Sequence, residues 1–98
     1  MKNIIKNLDK AFESKIRLGV MSVLVVNTKL SFNDLKSTLE LTDGNLASHL
    51  KMLEASGYIL VHKSFSGRKP NTIYEITTEG KIAFEKHLKA LEEIIKMQ

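Results

Sequence analysis

The chain has 98 residues and a mass of 11.1 kDa, the size of one domain with one modest core. Its 43% hydrophobic and 27% charged residues are a globular composition that argues against disorder. The absence of cysteine excludes disulfides and thiolate metal or redox chemistry. No apolar run approaches the roughly 20 residues that span a bilayer, and no signal peptide opens the chain. We therefore expect a small, soluble, cytoplasmic protein with no membrane partner.

The charge balance gives a first, weak indication of a partner. Fifteen basic side chains against eleven acidic ones give a net charge of +4 and a pI near 9.4. Residues 78–98 hold four of each sign, so the whole excess lies in residues 1–77. This distribution favours a polyanionic partner, although a run of charge is more often a solvated face.

At the start of the chain, apolar residues at Ile5, Leu8 and Phe12 predict a short amphipathic helix. Ser14 is the predicted N-cap of a second helix, from Lys15 to about Asn27, because its hydroxyl can accept from an amide of the first turn. Three valines near the end of this stretch disfavour a helix. The pattern leaves open whether the chain kinks near Ser14 or runs straight through.

Two further helices are predicted by their caps. Ser31 and Asp34 form an S-x-x-D capping box, which predicts a helix to about Glu40, and Lys29 to Ser31 can add a short strand before it. Thr42 is the predicted cap of the next helix, which Gly57 ends. The spacing i, i+4, i+7 defines the buried face of this helix, formed by Leu46, Leu50 and Leu53.

The remaining chain predicts a hairpin and a long helix. Period-2 alternation over residues 58–63 and 72–77 predicts two antiparallel strands, joined by a loop from Ser64 to Asn71 that holds the sole proline, Pro70. Thr78 is the predicted cap of a last helix to about Met97. A heptad-like seam runs along that helix, formed by Phe84, Leu88, Leu91 and Ile95.

This order of elements is that of a winged helix-turn-helix, a mainly α protein with a small β-hairpin (α+β). We expect one domain over residues 1–98, with the helix-turn-helix at about 31–57, the wing hairpin at about 58–77 and a C-terminal dimerisation helix at about 78–97. In such a unit one helix enters the major groove, and a basic hairpin tip reaches the flanking backbone or the minor groove.

The outward face of the helix that begins at Thr42 offers side chains for base reading. Asn45 can pair with adenine, and Ser48 can donate to or accept from several bases. Arg68 and Lys69 concentrate positive charge at the hairpin tip, with Lys63 at its base. Polar residues also occupy any solvent face, so each residue taken singly is a weak signal.

Three stretches resemble small bacterial and archaeal winged-helix regulators related to the ArsR and MarR families. They are LTDGNLASHLKMLEASGYI (Leu41 to Ile59), SFSGRKPNTIYEITTEG (Ser64 to Gly80) and SKIRLGVM (Ser14 to Met21). The resemblance implies a dimeric transcription factor. It implies bases or nearby phosphates for Asn45, Ser48 and His49, mainly backbone for Lys51, Lys63, Arg68, Lys69 and Thr72, and a position near DNA for Arg17. The predicted DNA-binding set is Arg17, Thr42, Asn45, Ser48, His49, Lys51, Lys63, Arg68, Lys69 and Thr72.

A homodimer is predicted from apolar stripes at both chain ends. Left exposed in a monomer, these stripes would form a larger patch than soluble proteins usually tolerate. The predicted interface comprises Ile5, Leu8, Phe12, Phe84, Leu88, Leu91 and Ile95. Which terminal helices pair with each other is left open.

Other classes of function find less support. His49, His62 and His87 lie in separate elements at no ligand spacing, so we expect surface or half-buried histidines and no metal site, with a pairing across a dimer left open. No catalytic or phosphate-cradling motif is present, which argues against an enzyme and against a cofactor. The alternative is a winged-helix protein–protein module, to which Asp43 and Met52 on the recognition face are suited. Any effector stays unknown.

Overall fold

The computed structural model describes residues 3–98. Two 3-10 turns, Ile4–Asn7 and Lys10–Phe12, come first. The remaining elements are α1 (Lys15–Asn27), β1 (Lys29–Ser31), α2 (Phe32–Leu39), α3 (Asp43–Ala55), β2 (Ile59–Ser66), β3 (Lys69–Ile76) and α4 (Thr78–Lys96). This order confirms the predicted α+β fold of helices with a small antiparallel sheet. Within residues 3–98, no helix is long and apolar enough to cross a membrane.

Side-chain caps begin all four α-helices. Ser14 accepts from the amides of Ile16 and Arg17, Ser31 from that of Asp34, and Thr42 from that of Asn45, as predicted. The cap of α4 is Thr77 and not Thr78, because Thr77 has the extended backbone of a cap and its side chain accepts from the Gly80 amide. Gly57 follows α3 with a φ of +79°, as expected for a helix-ending glycine.

The N-terminal segment is not the predicted amphipathic helix. Leu8 and Asp9 are extended between the two 3-10 turns, and Ser14 is extended again, so the chain breaks before α1. The Asp9 carboxylate accepts from the Ala11 amide, and the Asp9 amide donates to Nδ1 of His87 at 3.0 Å. These hydrogen bonds replace those that a continuous helix would make here.

The sheet has the strand order β1-β3-β2, with both pairs antiparallel. β2 and β3 stay paired out to Ser66 opposite Lys69, so the predicted loop from Ser64 to Asn71 is in fact strand. Only Gly67 and Arg68 turn the chain, and Gly67 has a φ of +67°, which glycine adopts without strain. Pro70 is tolerated in β3 because β1 pairs only with residues 73–75 and leaves this end of β3 with one neighbour.

The core corrects part of the predicted dimer interface. Phe12 and Phe84 are only 3% and 4% exposed, and their rings pack edge to face at 5.5 Å within one chain. Both residues are therefore unavailable to a partner. The predicted buried face of α3 is confirmed by Leu46, Leu50 and Leu53, which are at most 2% exposed.

His87 is buried, whereas the sequence predicted a surface or half-buried histidine. It is 6% exposed, and Phe12 packs against its ring with the centroids 5.2 Å apart. Nδ1 of His87 is the acceptor for the Asp9 amide, so this histidine fastens the N-terminal segment to α4. The sequence left open that His87 pairs with a residue of a second copy. Its ring is enclosed by its own chain and is not available for such a contact.

The start of α4 packs directly on the chain between α3 and β2. The Thr77 amide donates to the Tyr58 carbonyl at 3.0 Å, and the Thr77 hydroxyl donates to the Gly57 carbonyl at 2.7 Å. Gly80 is buried against the same Tyr58 carbonyl, so that a Cβ there would lie 2.3 Å from its oxygen. Only glycine permits this approach, which sets the angle at which α4 leaves the core.

Candidate nucleic-acid interface

The first two turns of α3 present a polar, exposed surface. Thr42, Asn45 and Ser48 are all exposed, opposite the three buried leucines of this helix. The Ser48 hydroxyl donates to the Asn45 carbonyl at 3.2 Å, which leaves its lone pairs free to accept. The Asn45 carboxamide is free of intramolecular partners among the side-chain hydrogen bonds of residues 3–98. This surface can therefore offer both donors and acceptors to a ligand.

An ion pair accounts for the acidic residue on this helix. Nζ of Lys36 in α2 lies 2.7 Å from the Asp43 carboxylate, with both side chains well exposed. The pair offsets the negative charge that Asp43 places on this surface, although an exposed pair of this kind contributes little to stability. Sequence reasoning missed Lys36, because no local spacing connects residues on different helices.

The side chains of Arg17 and His49 are hydrogen-bonded to each other, so neither projects freely from its helix. The Arg17 guanidinium donates from Nε to the Ala11 carbonyl at 2.6 Å, and from Nη1 to Nδ1 of His49 at 3.0 Å. Nη1 also donates to Sδ of Met52 at 3.2 Å. Both Arg17 and His49 are partly buried. Their hydrogen bond connects α1 to α3 within one chain.

A cleft separates α3 from the wing hairpin. It has a volume of about 410 Å³. Its lining residues are Ala47, Leu50, Lys51, Glu54, Val61, Lys63 and Tyr74. The predicted Lys51 and Lys63 thus lie on one surface feature. Burial, and then the charge of the Glu54 carboxylate, raise the pKa of the Tyr74 hydroxyl, which stays neutral at physiological pH.

The outer part of the wing carries only positive charge. Residues 63–74 contain three basic side chains and no acidic one: Lys63, Arg68 and Lys69. All three are exposed, and Thr72 is half-buried opposite Lys63 in the β2–β3 pair. The exposed members of the predicted set are therefore Thr42, Asn45, Ser48, Lys51, Lys63, Arg68 and Lys69. The partly buried members are Arg17, His49 and Thr72.

The other two histidines, His62 and His87, lie apart from each other and contact residues of their own chain. Nε2 of His62 lies 2.8 Å from the Glu75 carboxylate across the β2–β3 pair, and His87 is enclosed in the core. Residues 3–98 contain no group of three or more His, Cys, Asp or Glu side chains that could hold a metal ion.

A polar helix that follows a short helix and precedes a basic hairpin defines a winged-helix protein. Residues 16–95 match the family model described as a winged helix DNA-binding domain, and the chain belongs to that family. The predicted resemblance to winged-helix transcriptional regulators is thereby confirmed.

Three proteins illustrate what the chain is similar to. An uncharacterized protein of Methanocaldococcus jannaschii is 39% identical over 79 residues, which cover 81% of this chain and 86% of the relative. The structure of a transcriptional regulator homologue from Pyrococcus horikoshii OT3 has a TM-score of 0.85 at 33% identity, covering 95% and 90% of the two chains. The crystal structure of overoxidized AbfR bound to DNA has a TM-score of 0.77 at 22% identity, covering 93% of this chain and 66% of that one; this likeness concerns the fold alone.

Proposed function

We propose that this chain is a cytoplasmic, dimeric transcriptional regulator that binds double-stranded DNA sequence-specifically. Helix α3 enters the major groove, and the wing contacts the flanking backbone or the minor groove. One observation carries the proposal: α3 exposes Asn45 and Ser48 beside a hairpin whose outer part, residues 63–74, carries only positive charges, in a chain of the winged helix DNA-binding family.

Base reading follows from the chemistry of the α3 surface. A free carboxamide such as that of Asn45 matches the donor and acceptor pair that adenine presents in the major groove. The lone pairs of Ser48 can accept from the amino group of cytosine or adenine. Thr42 lies at the exposed helix start, where its amide and hydroxyl suit a phosphate. Arg17 and His49 contribute by holding α3 in place.

The basic side chains supply affinity that is independent of sequence. Lys51 and Lys63 flank the cleft between α3 and the wing, and Arg68 and Lys69 are at the hairpin turn. Each such side chain that neutralises a phosphate releases a counterion from the duplex. These residues therefore orient the protein on DNA, while α3 selects the sequence.

The dimer is supported by apolar surface at the ends of the chain. Leu88, Leu91 and Ile95 on α4 are 46%, 37% and 69% exposed, and Ile5 is 71% exposed. An apolar groove of about 690 Å³ lies between the first turn and the end of α4. Its lining residues are Asn3, Ile4, Ile5, Leu8, Ile94, Met97 and Gln98. A second copy covers this surface and presents two α3 helices to two half-sites about one helical turn apart.

The alternative function, a protein–protein module, has lost its main support. Its favourable features were Asp43 and Met52 on the recognition face and a net charge of only +4. Asp43 is paired with Lys36, and the Met52 sulfur accepts from Arg17. Both side chains thus have roles inside the chain, and neither requires a protein partner.

Selection from a pool of genomic DNA fragments tests the proposed function. We expect the protein to enrich a common short site. Asn45→Ala and Ser48→Ala should each cost about 1–3 kcal/mol at that site and little on random duplex. Ser22→Ala is the matched control, because this exposed serine of α1 also donates to a carbonyl one turn back. Equal losses on the selected site and on random duplex would show that α3 does not read bases.

A further inference from the structure

The wing ends in an exposed aromatic ring that the proposed function does not use. Phe65 is 75% exposed near the end of β2, and it pairs in register with Pro70 on β3. Neither residue belongs to the core or to the hydrophobic residues packed against it. Two apolar side chains therefore lie side by side at the tip of the hairpin, outside the core and exposed to solvent.

Strand alternation fixes the face on which this ring lies. Successive side chains of a strand point to opposite faces, so Phe65 shares a face with Val61 and Lys63. Val61 and Lys63 line the cleft between the wing and α3. Phe65 is four residues beyond Val61, or about 13 Å further out at the usual rise of a strand. The ring is thus presented on the α3 side of the wing, beyond the end of the cleft.

The charges around the ring indicate the chemistry of its partner. Lys63 shares the face of Phe65, Arg68 lies in the adjacent turn, and Lys69 pairs with Ser66 on the opposite face. Residues 63–74 contain no acidic side chain. A partner must therefore be polyanionic and must also offer an apolar surface between its charges. The minor groove of duplex DNA has this character, since sugars and base edges line a groove that is bordered by phosphates. Proteins that bind there often insert Phe or Pro as apolar wedges.

We propose that Phe65, backed by Pro70, inserts into the minor groove as an apolar wedge against the sugars and base edges that flank the α3 site. The inference rests on the proposed function and adds a contact to it. In this arrangement Lys63, Arg68 and Lys69 bind the phosphates on the two sides of the groove. Phe65 then supplies a contact that depends on groove width and base stacking, and not on net charge.

A tryptophan reporter tests this contact directly, because the chain contains no tryptophan of its own. Phe65→Trp places an indole at the proposed wedge, and we expect its emission to be strongly quenched when duplex DNA is added. Leu60→Trp is the matched control. Leu60 is 52% exposed on the same strand, but two-residue alternation puts it on the opposite face, so its emission should change little.

Phe65→Ala provides the affinity measurement. We expect a loss of about tenfold in affinity for duplex DNA, with unchanged thermal unfolding and an unchanged salt dependence, because the phosphate contacts remain. Steep salt dependence in the wild type, together with unquenched Phe65→Trp and wild-type affinity for Phe65→Ala, overturns the wedge and leaves the proposed function intact. A wild type that binds no duplex overturns both.

Discussion

The guanidinium of Arg17 lies 3.0 Å from Nδ1 of His49, and this hydrogen bond joins α1 to the middle of α3. A guanidinium has only donors, so His49 must accept at Nδ1 and hold its proton on Nε2. The same guanidinium donates to the Ala11 carbonyl just before α1. One side chain thus ties the N-terminal segment and the proposed recognition helix to the same point.

Substitutions at this pair should be coupled. Arg17→Ala and His49→Ala should each destabilise the fold, and the double variant should lose less than the sum, by about 0.5–3 kcal/mol. Arg17→Lys should not restore the wild type, because an ammonium cannot reproduce a planar donor group that serves three acceptors. Urea unfolding of the wild type and these variants measures the coupling. Additive losses would mean that the bond contributes nothing to stability.

Tyr58 makes the stability of the fold pH-dependent in the alkaline range. Its hydroxyl donates to the Asp9 carboxylate at 2.5 Å; this bond, followed by burial and the charge of Asp9, raises the pKa of Tyr58 from 10.0 to about 12. A raised pKa means that the fold favours the neutral phenol. The contribution to stability is complete below pH 10.0 and is lost as the pH rises towards about 12.

Tyr58→Phe tests this linkage by urea unfolding over a range of pH. At neutral pH the variant should be less stable than the wild type, because it lacks the bond to Asp9. The difference should shrink as the pH rises from 10.0 to about 12. Every other titratable group is common to both chains. A difference that stays constant through this window would contradict the assigned cause.

Two glycine substitutions should have opposite effects. Gly80→Ala should destabilise by about 1–3 kcal/mol or more, because the new methyl meets a backbone carbonyl that cannot turn aside. Gly44→Ala is the matched control: it is also helical, and no atom lies within 4 Å of the added Cβ. It should stabilise by about 0.5–1 kcal/mol. Thermal unfolding compares them, and a Gly80→Ala chain as stable as wild type would remove the close packing of α4 on Tyr58.

Features governed by local interactions are predictable from the sequence. Ser14, Ser31 and Thr42 act as caps because the groups they satisfy are two or three residues away. The buried face of α3 follows from the helical period of its leucines. The hairpin is predicted correctly, but the predicted loop between its strands is too long. Proline usually indicates a loop, whereas Pro70 lies in β3 where that strand has only one neighbour.

Features that depend on distant partners are not predictable in this way. The N-terminal segment lacks a regular helix because the Asp9 amide bonds to His87, 78 residues away. Phe12 and Phe84 each continue an apolar stripe and so resemble interface residues, yet they pack on each other. The resemblance implies a position near DNA for Arg17, and no sequence pattern reveals its bond to His49. Each of these features depends on an interaction between separate elements.

The proposed dimer is tested by charge on the exposed seam of α4. Replacing both Leu88 and Leu91 with Glu should give a folded monomer with much weaker binding to the selected DNA site, because the partner's apolar surface must then face buried charge. Ile82→Glu is the control: Ile82 is 61% exposed on the opposite face of the same helix. Sedimentation equilibrium distinguishes the states. A wild type that is monomeric at high micromolar concentration would contradict the dimer.

The salt dependence of binding to random duplex DNA tests the central claim most directly. If the wing and α3 neutralise phosphates, the logarithm of the binding constant falls linearly with the logarithm of salt concentration, with a slope of about −0.9 for each phosphate neutralised. The account predicts a steep slope for the wild type. In the Arg68→Ala, Lys69→Ala double variant, it predicts a slope shallower by about one unit for each phosphate that is no longer neutralised. A wild-type affinity for duplex DNA that does not change with salt would contradict the account and favour a protein–protein module.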